Sequence, residues 1–354
     1  MVYNFNAGPS LLPPQVFEEA SKAIINFNNS GLSILEIGHR TPLFEEVIEE
    51  ARSLVRELMK LDDDHEVLYL HGGATVQFMQ IPMNLLDGNE TAAIVDTGVW
   101  STKAIDEAKY FGNVDIVASS KDGNYNYIPS TFTVPDNAQY LHITTNNTIY
   151  GTQWKKMPDT GVPLIADMSS DILSRQLDFN SFDLIYAGAQ KNMGAAGTNL
   201  VVVNKNILGK IKRPIPPIMN YQKHIEAKSM LNTPPVFAIY VSMLTLKWLK
   251  ENGGVAGMEK INNAKAEMLY ESIDNSNLFN GTSVVEDRSN MNVCFTIEDK
   301  KIEEQFMNFA NKNNIYGVKG HRHVGGFRVS LYNALPLSSV EYLINKMNEF
   351  EKKM

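Results

Sequence analysis

LIYAGAQKNMGAAGTNLVVV, residues 184–203, decides how this chain is read. Leu184–Gly188 and Leu200–Val203 are short apolar runs that read as buried strands, and the segment between them is stripped of charge and bulk. Its single cation, Lys191, stands among Gly188, Ala189, Gly194, Ala195, Ala196 and Gly197. A surface loop tolerates a lysine anywhere, yet surface loops seldom carry so little charge or volume. In open α/β sheets, ligands gather at the carboxyl ends of strands, and Lys191 follows one.

Outward from this unit the same grammar repeats. VLYL (67–70), AAIVD (92–96), VDIVA (114–118), YLHIT (140–144) and PLIAD (163–167) are further candidate strands. Amphipathic pieces separate several of them, among them STKAIDEAKYFG, where Ser101 is placed to cap. Alternation of this kind predicts an α/β fold with a large, mostly parallel seven-stranded sheet covered on both faces by helices. After Pro234-Pro235 a long helical pattern, residues 236–254, leads away from the sheet. Beyond residue 258 helices alternate with VVEDRSNMNVCFTI, IYGVKG and FRVSLYN, a smaller α+β layer. The first fifteen residues have no evident partner in the large sheet. The expected division is therefore a large domain over 16–255 and a small one built from 1–15 and 256–354.

A chain of 354 residues exceeds the size at which one core usually stops growing, which agrees with two domains. Its net charge of −8 and pI near 5.5 point to a soluble protein and away from a nucleic-acid surface. No apolar run approaches membrane-spanning length, and MVYNFNAGPS lacks the basic and apolar regions of a signal peptide, so the expected location is cytoplasmic. One cysteine, Cys294, forms no disulfide framework.

Unusual polar residues stand at the predicted strand ends. His71-Gly72-Gly73-Ala74-Thr75 follows the first strand and opens a helix, where free amides make a phosphate site. Trp100 follows the second, Thr144 to Thr148 follow the fourth, Asp167 closes the fifth, and Gln190-Lys191 follow the sixth. The set comprises a phosphate cradle, a flat ring, a carboxylate and an amine. Pyridoxal phosphate requires these groups: a lysine to hold it as a Schiff base and an acid to keep its ring nitrogen protonated. Taken singly, each residue fits a plainer role. Lys191 alone suits a solvated loop, Asp167 alone an Asx turn, and Trp100 alone the core. Their shared position at strand ends is what favours the cofactor.

A second group is cationic: His39-Arg40 before a helix, then His321, Arg322, His323 and Arg328 in GVKGHRHVGGFRVSLYN. Arginines near glycines suit a substrate with two anionic groups, since guanidinium clamps carboxylate or phosphate bidentately. Arg328 lies in an otherwise apolar strand and calls for a partner there. Arg40 also fits a rim ion pair with Glu45 or Glu46. His321 and His323 as a metal pair lack a neighbouring cysteine or carboxylate, so no metal is expected.

YAGAQKNMGAAG, ADMSSDILSR, FNAGPSLLP, GHRTPLFEEV, HGGATVQF, LNTPPVFAIY and RVSLYNALPL together closely resemble the phosphoserine aminotransferase family, class-V pyridoxal-phosphate enzymes of fold type I. The resemblance runs from the first residues to the last helix. It implies that Lys191 is the internal aldimine lysine and Asp167 the partner of the pyridinium nitrogen. Trp100 would stack on the ring, with Thr148 and Gln190 hydrogen-bonding around it and Ala74 and Thr75 binding the phosphate. Asn232 and Thr233 would reach the cofactor of a second subunit, which implies a homodimer. Arg328 would clamp the α-carboxylate, and His39, Arg40, His321 and Arg322 the distal anion. The implied reaction is ping-pong transamination between L-glutamate and 3-phosphohydroxypyruvate, giving O-phospho-L-serine and 2-oxoglutarate. The resemblance leaves open a second role in pyridoxine synthesis. Thr75 departs from members that carry arginine there.

Three rivals remain at this level. Aminotransferases for alanine, serine and glyoxylate have no need of the His39, Arg40, His321 and Arg322 group. A cysteine desulfurase needs a mobile thiol, and Cys294 lies in a predicted buried strand. A non-catalytic binding protein would not need to keep both Lys191 and Asp167.

Overall fold

The computed structural model describes residues 2–322 and 324–354. Among them, seven strands form one sheet: β2 (His65–Leu70), β3 (Thr91–Asp96), β4 (Asn113–Ser119), β5 (Ala138–Thr144), β8 (Leu164–Asp167), β9 (Leu184–Gly188) and β10 (Asn199–Asn204), in spatial order β2-β10-β9-β8-β5-β3-β4. β10 runs antiparallel to both its neighbours, and the remaining pairings are parallel. Each interior strand is buried on both faces, which is why these segments read as unbroken apolar runs. Along β8, Leu164 and Ala166 enter one core while Ile165 enters the other.

Helices cover the two faces. On one lie α2 (Pro42–Met59) and α6 (Val236–Glu251). α2 starts with proline at its first position and buries Phe44, Val47, Ile48, Ala51, Leu54, Val55 and Met59, a stripe at helical spacing. α1 (Pro14–Ile25) lies outside α6, with Val16 and Ala20 against Val241. On the other face lie α3 (Gly73–Leu85), α4 (Val99–Ala108) and the short α5 (Tyr221–Glu226). Ser101 is not the cap of α4: the helix starts at Val99, and the Ser101 hydroxyl instead accepts the Thr97 and Gly98 amides, each at 2.9 Å.

Past α6, α7 (Gly254–Asp274), α8 (Lys300–Lys312) and α9 (Leu337–Glu351) pack on a three-stranded antiparallel sheet of β11 (Asn280–Gly281), β12 (Asn292–Thr296) and β14 (Phe327–Ser330). A cluster of Phe279, Phe295, Phe306, Phe327 and Phe350, in offset and edge contacts, fills this second core. At the amino end, β1 (Tyr3–Asn4) pairs with β13 (Ile315–Tyr316), and Phe5 is buried among these aromatics. A two-residue hairpin, β6 (Asn146–Asn147) with β7 (Thr152–Gln153), follows β5 directly. No helix among the described residues is long and apolar enough to cross a membrane.

Candidate active site

The carboxyl ends of β2, β3, β5, β8 and β9 converge on a cavity of about 400 Å³. Ala74, Thr75, Trp100, Thr148, Asp167, Gln190, Lys191, His321 and Arg328 all line it. Its volume suits a cofactor with a small substrate.

Each group is fixed by the element beneath it. Asp167 ends β8 and is buried, and its carboxylate accepts the Ser169 amide at 2.9 Å. Burial pushes its pKa above the usual carboxylate value, while the Ser169 hydrogen bonds and the charge of Lys191 pull it back. Lys191 lies three residues past β9, and its ammonium donates to the Thr148 hydroxyl at 2.8 Å. Burial lowers its pKa to about 8, with Asp167 opposing and Arg328 reinforcing that shift. Trp100 lies in the first turn of α4, with Lys191 Nζ 6.0 Å from its ring centroid. Its indole Nε1 is buried without a partner. Ala74 and Thr75 occupy the first turn of α3, whose cap residue Gly72 has φ of 85°. Four amides of such a turn have no partner within the helix, and the dipole there favours an anion. A Cβ at Gly72 would lie 2.1 Å from Val76 Cγ2, so no larger residue permits this turn.

Arg328, on β14, reaches in from the second sheet. Its Nη1 donates to the Thr148 carbonyl at 3.4 Å, and its buried Nε has no partner. A guanidinium with open donors beside a lysine is suited to receive a carboxylate. His321, on the loop before β14, lines the same cavity.

Five predicted residues lie outside this cavity. His39 and Arg40 are on the loop before α2, Arg40 exposed and the buried His39 Nε2 without a partner. Arg322 is exposed, adjacent in sequence to His321. Asn232 lines a neighbouring cavity that also borders Gly72, and the Thr233 carbonyl is bonded to His71 Nε2 at 2.8 Å. His323 lies outside the described residues. Among those described, no three His, Cys, Asp or Glu side chains gather as metal ligands.

Other residues join the cavity that the strand-end argument did not single out: Ala7, Gly8, Ile149, Ser169 and Ser170; Asn146, within the Thr144 to Thr148 stretch, joins it too. The amino-terminal segment folds over the lysine loop. Ser10 donates its amide to the Gln190 carbonyl at 2.9 Å and its hydroxyl to the Lys191 carbonyl. Gly8 has φ of 138°, and a Cβ there would meet Lys191 Cγ at 3.3 Å. The only sequence signal for this contact was the FNAGPS stretch, since a pairing across some 180 residues leaves no local periodicity. Asn146 ties the sheets together: it donates to Ser170 Oγ and Asn292 Oδ1, both at 2.8 Å, and Asn292 donates to Ser330 on β14.

The donor set fits pyridoxal phosphate. An amine of lowered pKa, a buried carboxylate, an indole face and a turn of open amides surround one space. Cys294, by contrast, is 4% exposed on β12, and burial pushes its thiol up to about 12, unlike a mobile thiolate nucleophile.

The family model for class-V aminotransferases matches residues 2–343. A phosphoserine aminotransferase of Flavobacterium psychrophilum is 54% identical over 353 residues, covering 99% of each chain. The solved phosphoserine aminotransferase from Bacillus circulans subsp. alkalophilus superposes with a TM-score of 0.98 at 42% identity, covering 100% of this chain and 99% of that one. A phosphoserine aminotransferase from Trichomonas vaginalis with bound pyridoxal phosphate gives 0.94 at 35% identity, over 98% and 100%.

Proposed function

The chain belongs to the class-V aminotransferase family, among the pyridoxal-phosphate-dependent phosphoserine aminotransferases, and on that premise we propose that it exchanges the amino group of L-glutamate with 3-phosphohydroxypyruvate. The products are 2-oxoglutarate and O-phospho-L-serine, formed in two half-reactions at one site. The observation that carries this reading is the convergence of Lys191, Asp167 and Arg328 on a single cavity.

When bound, pyridoxal phosphate supplies an electron sink that acidifies the substrate Cα–H. Lys191 is the attachment point, and its pKa near 8 makes the free amine accessible close to neutrality. The Lys191 amine would take up and return the proton at the substrate Cα. Asp167 would hold a proton on the ring nitrogen, Trp100 would cover one ring face and exclude water, and Gln190 and Thr148 would fix the ring edge. The Ala74 and Thr75 amides hold the phosphate, which Thr75 does without the charge that arginine gives some relatives. Arg328 receives the α-carboxylate, so that Cα–H is presented to Lys191.

A homodimer completes the site in this proposal, with Asn232 and Thr233 of each chain serving the other's cofactor phosphate. His39, Arg40, His321 and Arg322 form the distal pocket, whose guanidinium and imidazole donors accept either a carboxylate or a phosphate. The large domain spans 16–255, the small one 1–15 and 256–354, and the protein acts in the cytoplasm. Arg40→Ala tests the pocket. It should lower kcat/KM for phosphoserine at least about tenfold, the value of one charge-assisted hydrogen bond, with cofactor affinity unchanged. Unchanged turnover would remove Arg40 from the site.

A further inference from the structure

Beneath Asp167 lies a polar group that the reaction above does not use. Thr144, Asp167 and Tyr186 are paired across β5, β8 and β9 and form one row at the strand ends. Tyr186 faces the core shared with α3 and α4, and its side chain is fully buried. Two residues before Thr144 on β5, where it pairs with Ile165, His142 is 2% exposed, with Nε2 2.8 Å from the Tyr186 hydroxyl. On its other side, His142 Nδ1 is buried without a partner. The adjoining space is about 10 Å³, lined mostly by Phe78, Ile81, Pro82, Ile94 and Ala104. That is at or below what one water needs, and it offers few polar partners.

Burial pulls His142 down to about 4, so the imidazole is neutral and one nitrogen carries the proton. A buried N–H without an acceptor costs more than a bare lone pair, which places the proton on Nε2. Nε2–H then donates to the Tyr186 oxygen, leaving the phenolic proton to point elsewhere. Burial, followed by the charge of Asp167, its neighbour in the row, holds that proton on the phenol. The two donors thus follow one direction, from imidazole to phenol and on towards the carboxylate side of the row.

We propose that His142 and Tyr186 are positioning residues, a buried donor relay that keeps the Asp167 carboxylate ionised where burial alone would neutralise it. The proposal rests on Asp167 being the partner of the cofactor's ring nitrogen. An ionised Asp167 holds that nitrogen protonated, whereas a neutral one would compete for the same proton.

The test has two parts. In ¹⁵N NMR spectra of the cofactor-free wild type, His142 should show the Nε2-protonated tautomer; an Nδ1-protonated ring overturns the relay. Tyr186→Phe and Asp167→Asn are then compared for pyridoxal phosphate dissociation constant, kcat and KM. Tyr186→Phe should weaken cofactor binding and lower kcat by about tenfold each, as for one charge-assisted hydrogen bond, while KM for phosphoserine holds. Asp167→Asn should do more of both. Wild-type cofactor affinity in Tyr186→Phe beside its loss in Asp167→Asn overturns the relay and leaves the role of Asp167 standing. Wild-type affinity in Asp167→Asn overturns that role, and the relay with it. If Tyr186→Phe does not fold, the tautomer measurement decides.

Discussion

Gly8 offers the sharpest test of how the amino-terminal segment serves the lysine. Its φ of 138° is a conformation that side chains rarely adopt, and a methyl there would stand 3.3 Å from Lys191 Cγ and 3.8 Å from Lys191 Cε. Gly8→Ala therefore carries backbone strain of about 1–3 kcal/mol. With an unfolding entropy of about 0.7 kcal/mol/K for 354 residues, that strain lowers Tm by about 1–4 °C. The contact also pushes the Lys191 stem by about 0.3 Å. If misplacement by 1 Å costs about 100-fold, this shift costs about fourfold in kcat. Scanning calorimetry and steady-state kinetics on the same holoenzyme measure both, and KM should change less than kcat, because Gly8 pushes on the base. An alanine variant with unchanged Tm and unchanged kcat refutes the reasoning. A lowered Tm with full kcat shows that the segment stabilises the fold without aligning Lys191.

Chemical modification of the Lys191 amine in cofactor-free protein should titrate near 8, against 10.5 for an ordinary lysine, and Asp167→Asn should move the midpoint lower still by removing a charge that favours the ammonium. Unfolding restores the ordinary value, so the unfolded state binds more protons between those two pH values. Cofactor-free stability should therefore rise with pH across that window, and Lys191→Met should flatten the slope in denaturant titrations. Arg328→Gln should raise KM for both glutamate and phosphoserine by about 10- to 100-fold, with cofactor affinity kept, because it removes a charged bidentate donor from the α-carboxylate. Unchanged KM would show that another group receives the carboxylate.

The large sheet was legible because parallel strands buried on both faces appear as continuous apolar runs. All seven stretches from VLYL to LVVV are strands of it, extended by one or two residues at some ends, except that PLIAD loses Pro163 and starts at Leu164. Boundaries set by packing were less visible. α4 begins two residues before Ser101, since Gly98, with φ of 154°, serves as cap and the serine hydroxyl binds back to it. VVEDRSNMNVCFTI contains only a five-residue strand, because Val285–Asp287 turns into a short helix before Asn292.

For the site, the residues at strand ends were legible and lie around one cavity, as sheet topology dictates. Gly8 and Ser10 were not, because their contacts join segments far apart in sequence and leave no periodic trace. His142 and Tyr186 read as ordinary strand residues, and only the cross-strand register places them beneath Asp167. Asn232 and Thr233 were named through family resemblance, and His39, Arg40 and Arg322 as members of a cationic group; within one chain all of them stand apart from the cavity.

The central claim is that Lys191 and its cavity carry out half of a transamination on phosphoserine. The direct measurement is the visible absorption of the holoprotein before and after adding L-phosphoserine with no keto acid present, alongside assay of the keto acid released. The account predicts loss of the yellow band with about one equivalent of 3-phosphohydroxypyruvate per site, and return of the band on adding 2-oxoglutarate. A yellow protein that ignores phosphoserine but is bleached by alanine or serine would contradict it.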